Sequence, residues 1–220
     1  MGSPASAATT THLCQPDNHY NVESYQLDGF HRGVYVWNTG MWVASQSTVS
    51  CFRVSSIALW RGFGDNVELG WIRTGLGDQC GQTGASTTWR LISVEVNYQF
   101  YCPEGSPGNQ IPSGHLGSDR WFGILNANGD GHFDFWYDHT FIVTNTIDTM
   151  WSGGWTLTNG ERITCSYPCT SDTAWSKFRG LDYEDSTGLH DWYSAEEYLN
   201  TDTGFHTTEI ADDWWLVEKN

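Results

Sequence analysis

Apolar and polar side chains change places at every second residue over several windows of this chain, and that period points to a class of fold. In Val67-Glu68-Leu69-Gly70-Trp71-Ile72-Arg73, Val67, Leu69 and Trp71 share one side while Glu68, Gly70 and Ile72 share the other. From Ser93 to Tyr101, Val94, Val96, Tyr98 and Phe100 alternate with Glu95, Asn97, Gln99 and Tyr101. Between His132 and Asp138, Phe133, Phe135 and Tyr137 alternate with Asp134, Trp136 and Asp138. A period of two over such lengths marks a half-buried antiparallel strand. Further strands are predicted at 22–27, 34–38, 42–47, 52–60, 89–101, 121–126, 141–146, 155–158, 162–165 and 214–218. Gly, Asn and Asp cluster in turns at 62–66 and 126–131, and 103–114 reads as a long surface loop. So many short strands exceed one sheet. The prediction is an all-β, two-sheet antiparallel sandwich of the jelly-roll or concanavalin-like kind. Only 194–199 reads as a helical turn or two, with Ser194 and Glu197 at capping-box spacing.

Composition agrees with this pattern. The 220 residues include 13 Trp, 10 Tyr, 10 Phe and 24 Gly. Aromatic rings suit a pleated, half-buried surface and glycine suits the turns between strands. The length fits one well-buried core, so 14–220 is read as a single domain. Residues 1–13 contain Ala5-Ser6-Ala7, which looks like the small-residue end of a signal peptide, but have no basic or long apolar stretch. They are expected to be a disordered remnant left after signal removal.

Charge narrows the partners. With 26 acidic against 10 basic residues the formal charge is −16, and from Thr170 to Asn220 there are 12 acidic and 3 basic residues. Phosphate backbones and anionic bilayers call for Lys and Arg, so neither nucleic acid nor membrane is expected as a partner. The chain is expected to act as a monomer.

The six cysteines, Cys14, Cys51, Cys80, Cys102, Cys165 and Cys169, are even in number and contain no CxxC pair. They are read as three disulfides formed in an oxidising compartment, which makes the protein secreted. Six cysteines allow 15 pairings. Cys14–Cys51, Cys80–Cys102 and Cys165–Cys169 are the pairings expected here.

Candidate chemistry lies in four places. Asn126-Ala-Asn-Gly-Asp-Gly-His-Phe-Asp134 has oxygen-bearing side chains at alternate positions, as calcium loops do, but Tyr137 stands where the closing Glu belongs. It also lies between two alternating strands, which favours a hairpin turn over calcium. The eight histidines are scattered without an HExxH pattern and no GxSxG elbow occurs, so no metal site and no serine nucleophile is proposed. Trp136, on the polar side of its strand, is a candidate platform for a sugar ring. Glu68, mid-strand on the side opposite Val67, Leu69 and Trp71, and Glu161, beginning another strand, are candidate working carboxylates.

Glu68 and Glu161 gain weight from a resemblance. Ser55-Ser-Ile-Ala-Leu-Trp60, a Gly/Asp turn, then Val67-Glu-Leu-Gly-Trp71 resembles the neprosin domain of plant glutamic endopeptidases. Trp89-Arg-Leu-Ile resembles that family's next aromatic strand, and Asn159-Gly-Glu-Arg-Ile163 its segment with the second glutamate. The resemblance is stronger to small secreted actinobacterial proteins of unassigned role. The resemblance implies that Glu68 and Glu161 face each other across a concave sheet and share a proton, one acting as base on water and the other as acid. It implies acid-active peptide hydrolysis with no cofactor and no metal. By parity alone, Asn97, Gln99, Tyr101 and Trp136 are candidates to line the cleft. The rival reading is a non-catalytic, lectin-like module that binds a glycan polymer rather than cleaving a peptide.

Overall fold

The computed structural model describes residues 18–43, 51–62, 64–74, 89–103, 118–164, 174–192, 197–201, 205–211 and 214–219. These segments form strands β1 (Asn18–His31), β2 (Gly33–Val43), β3 (Cys51–Gly62), β4 (Asp65–Thr74), β5 (Trp89–Val96), β6 (Gln99–Tyr101), β7 (Asp119–Leu125) and β8 (Asp134–Tyr137). They continue with β9 (Thr140–Thr144), β10 (Gly154–Thr164), β11 (Ala174–Asp185), β12 (Gly188–Asp191), β13 (Glu197–Thr201), β14 (Phe205–Ala211) and β15 (Trp214–Lys219). No helix occurs among the described residues.

Two antiparallel sheets result. One has seven strands in the order β13-β1-β10-β3-β4-β5-β6. The other has eight, ordered β14-β15-β11-β2-β7-β8-β9 with β12 paired to β11. Neighbours such as β1, β10 and β3 lie far apart in sequence, because the chain crosses between sheets as a sandwich requires.

The alternating windows supply the core between the sheets. Ile57, Leu59, Val67, Leu69, Trp71, Ile92 and Val94 come from the seven-stranded sheet, and Val34, Val36, Phe122, Ile124, Phe135 and Phe178 from the other. Trp71 closes the gap. Its ring meets Phe122 edge-on at 5.6 Å between centroids and Tyr137 at 6.1 Å. Phe133, Phe135 and Tyr137 are buried as their parity predicts, and Asp134, Trp136 and Asp138 are half-buried on the other side of that segment.

Three expectations change. The strand expected through Ser93–Tyr101 is broken into a hairpin, because Asn97 (φ 51°) and Tyr98 (φ 64°) both adopt left-handed backbone. Two such residues in succession are what a tight two-residue hairpin requires. The helical turn expected at 194–199 is not formed over Glu197, Tyr198 and Leu199, which lie in β13 and pair with Gln26, Tyr25 and Ser24 of β1. Here pairing at a sheet edge overrides local helix propensity. The predicted strand at 34–38 and the described part of the one at 42–47 are joined in β2 (Gly33–Val43), and that at 155–158 and the described part of the one at 162–165 are joined in β10 (Gly154–Thr164).

The segment 126–134 links two antiparallel partners, β7 and β8, as the hairpin reading expects. The Asp130 N–H donates to Asn126 Oδ1 at 3.2 Å, and the His132 N–H donates to Asp130 Oδ1 at 3.1 Å. Cys102 is disulfide-bonded and no free cysteine occurs among the described residues. The pairings expected for Cys14, Cys80, Cys165 and Cys169 fall on positions outside the described residues.

Candidate active site on the seven-stranded sheet

A strand turns alternate residues to opposite faces, so the positions between the core residues of β3, β4 and β5 form the outer face of the seven-stranded sheet. Register sorts them into rows. Leu157 of β10, Ala58 of β3, Glu68 of β4 and Ser93 of β5 lie in one row. The next row holds Trp155, Trp60, Asn66, Glu95 and Phe100. On the other side, Gly70 pairs with Ser56 of β3 and with Leu91 of β5.

Glu68 is half-buried in the middle of this face. Its Oε1 accepts a hydrogen bond from the Ser56 hydroxyl and its Oε2 one from Ser93 Oγ at 3.4 Å. Both oxygens therefore accept, the bonding pattern of a carboxylate. Gly70 makes the Ser56 contact possible. A Cβ there would lie 2.2 Å from the Ser55 carbonyl oxygen and 2.5 Å from Ser56 Cβ, so only glycine lets β3 come this close. Beyond Gly70, Val54, Ile72 and Leu91 form a small buried apolar cluster.

Glu95 occupies the adjoining row, diagonal to Glu68. Asn66 Nδ2 donates to Glu95 Oε2 at 2.7 Å. Burial pushes the Glu95 carboxyl above its ordinary range, the Asn66 hydrogen bond acts the other way, and nearby Asp65 adds to the rise. An aromatic group continues this row: Trp60 and Trp155 lie 5.3 Å apart between centroids, and Phe30 lies 5.4 Å from Trp155. The Arg61 guanidinium covers the Phe30 ring at 4.9 Å. The face thus offers two carboxyls, hydroxyl and amide groups that orient them, and apolar surface beside them. Such a set can move protons to and from a bound polymer.

The other predicted site residues are dispersed. Glu161 pairs with Val54, four positions along β3 from Ala58, the partner of Glu68. Two strand spacings and four residues of rise separate the backbones of Glu161 and Glu68 by roughly 16 Å along the sheet. The register does not bring the two together. Asn97 is exposed in the β5–β6 turn and its N–H donates to Asp65 Oδ1 at 3.1 Å. Gln99 is exposed and accepts from the Tyr101 hydroxyl at 3.0 Å, while Tyr101 packs against the central core. The turn at Asn97 and Tyr98 resets the parity, which places Phe100 rather than Tyr101 in the row of Glu95. Trp136 is half-buried on the outer face of the eight-stranded sheet, T-shaped against Phe141 at 5.4 Å. It therefore lies on the opposite side of the sandwich from Glu68.

Glu95 escaped the sequence reading although its outward parity was visible. The missing signal was the pairing of Asn66 with Glu95, a relation between residues 29 apart. A separate cleft of about 400 Å³, lined by Arg61, Asp130, Asp148 and Trp151 among others, includes neither Glu68 nor Glu95. Among the described residues no cluster of three or more His, Cys, Asp or Glu is placed to hold a metal.

No protein-family model and no curated protein matches the chain. Solved structures do match in fold. Scytalido-glutamic peptidase with a transition-state analogue inhibitor superposes with a TM-score of 0.53 at 10% identity, over 94% of this chain and 100% of that one. SCP-B, a member of the eqolisin family of peptidases in complex with the tripeptide Ala-Ile-His, superposes with a TM-score of 0.51 at 9% identity, over the same shares of the two chains. The chain has an all-β sandwich fold similar to that of glutamic peptidases.

Proposed function

We propose that this protein is a secreted hydrolase of the glutamic-peptidase type, acting on peptide polymers at acidic pH with Glu68 as its working carboxylate. The observation that carries the reading is the setting of Glu68. It stands mid-strand on an outer sheet face, with both oxygens accepting serine hydroxyls and the Trp60–Trp155 pair in the adjoining row. The fold it shares with two peptidases supports the assignment, as does the resemblance of the Val67–Trp71 stretch to the neprosin domain. In this role Glu68 accepts a proton from water while the water oxygen attacks the carbonyl carbon. The chemistry draws on carboxyl groups and asks for no metal or cofactor. A second carboxyl must supply a proton, and the resemblance names Glu161.

The test is cleavage of a denatured protein between about pH 3 and pH 6, where carboxyl groups titrate. Glu68→Gln keeps the shape and removes the base, so the rate should fall by about 100-fold or more. Equal rates in wild type and variant would reject the reading.

A second reading, a non-catalytic carbohydrate-binding module, draws on the half-buried Trp136 and the exposed Phe141 beside it. Retention on a polysaccharide, lost in Trp136→Ala, together with no hydrolysis by the wild type, would favour it.

A further inference from the structure

We propose that Glu95 is the proton donor that works with Glu68, so that the two catalytic carboxyls sit on the adjacent strands β4 and β5. The inference rests on the hydrolase reading above and names the second acid it requires.

Geometry carries it. Glu68 pairs with Ser93 and Asn66 pairs with Glu95, which makes Glu68 and Glu95 diagonal neighbours on one face. Such positions have Cα atoms about 7–8 Å apart, close enough for two long side chains to reach one substrate group. The backbone of Glu161 is roughly twice as far away, across β3. The two glutamates are also bonded differently. Glu68 accepts with both oxygens. Among the described residues the Asn66 amide holds Glu95 at Oε2, the oxygen opposite the one that would carry the proton. Among the described residues Asp65 is the acid that acts on Glu95, Glu68 lies on the diagonal, and the row neighbours Trp60 and Phe100 are uncharged. Half-buried here, Glu95 holds its proton to higher pH than a free glutamic acid, first because of burial and then because of Asp65. Carboxyls in unlike settings side by side are the usual arrangement of an acid and a base.

The step balances. A water proton passes to Glu68 as the water oxygen bonds to the carbonyl carbon. The Glu95 proton passes to the amide nitrogen as the C–N bond breaks, releasing a carboxylic acid and an amine. The proton on Glu68 then returns to Glu95 through solvent, which restores both groups.

The test compares a peptide with a nitrophenyl ester of the same acyl group, since nitrophenolate departs without a proton. Glu68→Gln should lose about 100-fold or more on both substrates, whereas Glu95→Gln should lose that much on the peptide and stay within a few-fold on the ester. The fall in peptide cleavage at rising pH should also vanish in Glu95→Gln. Peptide cleavage by Glu95→Gln near the wild-type rate, with Glu68→Gln inactive, would overturn the role of Glu95 and leave the hydrolase reading standing. A wild type inactive on both substrates would overturn both. If circular dichroism shows that Glu95→Gln does not fold, Glu95→Asp, which withdraws the acid by one methylene, is read in its place on the two substrates, with the same expected and opposing rates.

Discussion

Ser56 and Glu68 are joined by a hydrogen bond between β3 and β4, diagonal to the direct pairing of Ser56 with Gly70. Ser56 is fully buried, so its hydroxyl is committed to this carboxylate. Ser56→Ala leaves Glu68 Oε1 without that donor. The expected cost is about 1.5–3 kcal/mol, the range for hydrogen bonds to charged groups. Urea denaturation measures it, and in a Glu68→Gln background the same substitution should cost clearly less. Equal costs in both backgrounds would mean the two residues are not coupled.

Gly70→Ala tests the close approach of β3 to β4. The new methyl would meet the Ser55 carbonyl oxygen, which belongs to the backbone and cannot swing aside. The expected loss is about 1–3 kcal/mol, as for other overpacked sites, with peptide activity falling alongside because the Ser56–Glu68 contact is displaced. Thermal melting and the peptide assay check both parts, and an unchanged melting temperature would contradict the geometry.

Glu95 makes stability depend on pH with a definite sign. Its folded-state pKa lies above the ordinary value of 4.5, so the folded chain holds this proton to higher pH than the unfolded chain does. The contribution is fully present below 4.5 and is lost as pH rises through the folded-state value. Relative to wild type, Glu95→Gln should therefore gain stability as pH increases through that window. Denaturant midpoints measured across it check this, and a pH-independent difference between the two proteins would refute it.

Cys102 is disulfide-bonded, and the even cysteine count predicts that the other five are too. Thiol titration of the unfolded, unreduced protein should find no reactive thiol. Two or more would overturn the oxidised framework and, with it, the argument for secretion.

Much of this arrangement was legible in the sequence because a strand has a period of two. Val67, Leu69 and Trp71 had to turn inward together and Glu68 outward, and the same rule buried Phe133, Phe135 and Tyr137. It also turned Glu95 outward, since parity needs only the strand itself.

Which outward residues become neighbours is a different question, and only the tertiary structure decided it. Strand order sets β4 between β3 and β5, and register then brings Asn66 to Glu95 and Ser93 to Glu68 while holding Glu161 beside Val54. Those pairings join segments tens of residues apart, and no local pattern encodes them. At Asn97 and Tyr98 even parity failed, because two left-handed residues folded one predicted strand into a hairpin. That turn is anchored from outside by the hydrogen bond of Tyr98 N–H to the Gly64 carbonyl oxygen and by the Tyr98 ring, which lies where a Gly64 side chain would be. A side-chain period determines the face of the sheet, whereas backbone pairing between distant strands determines who meets on it.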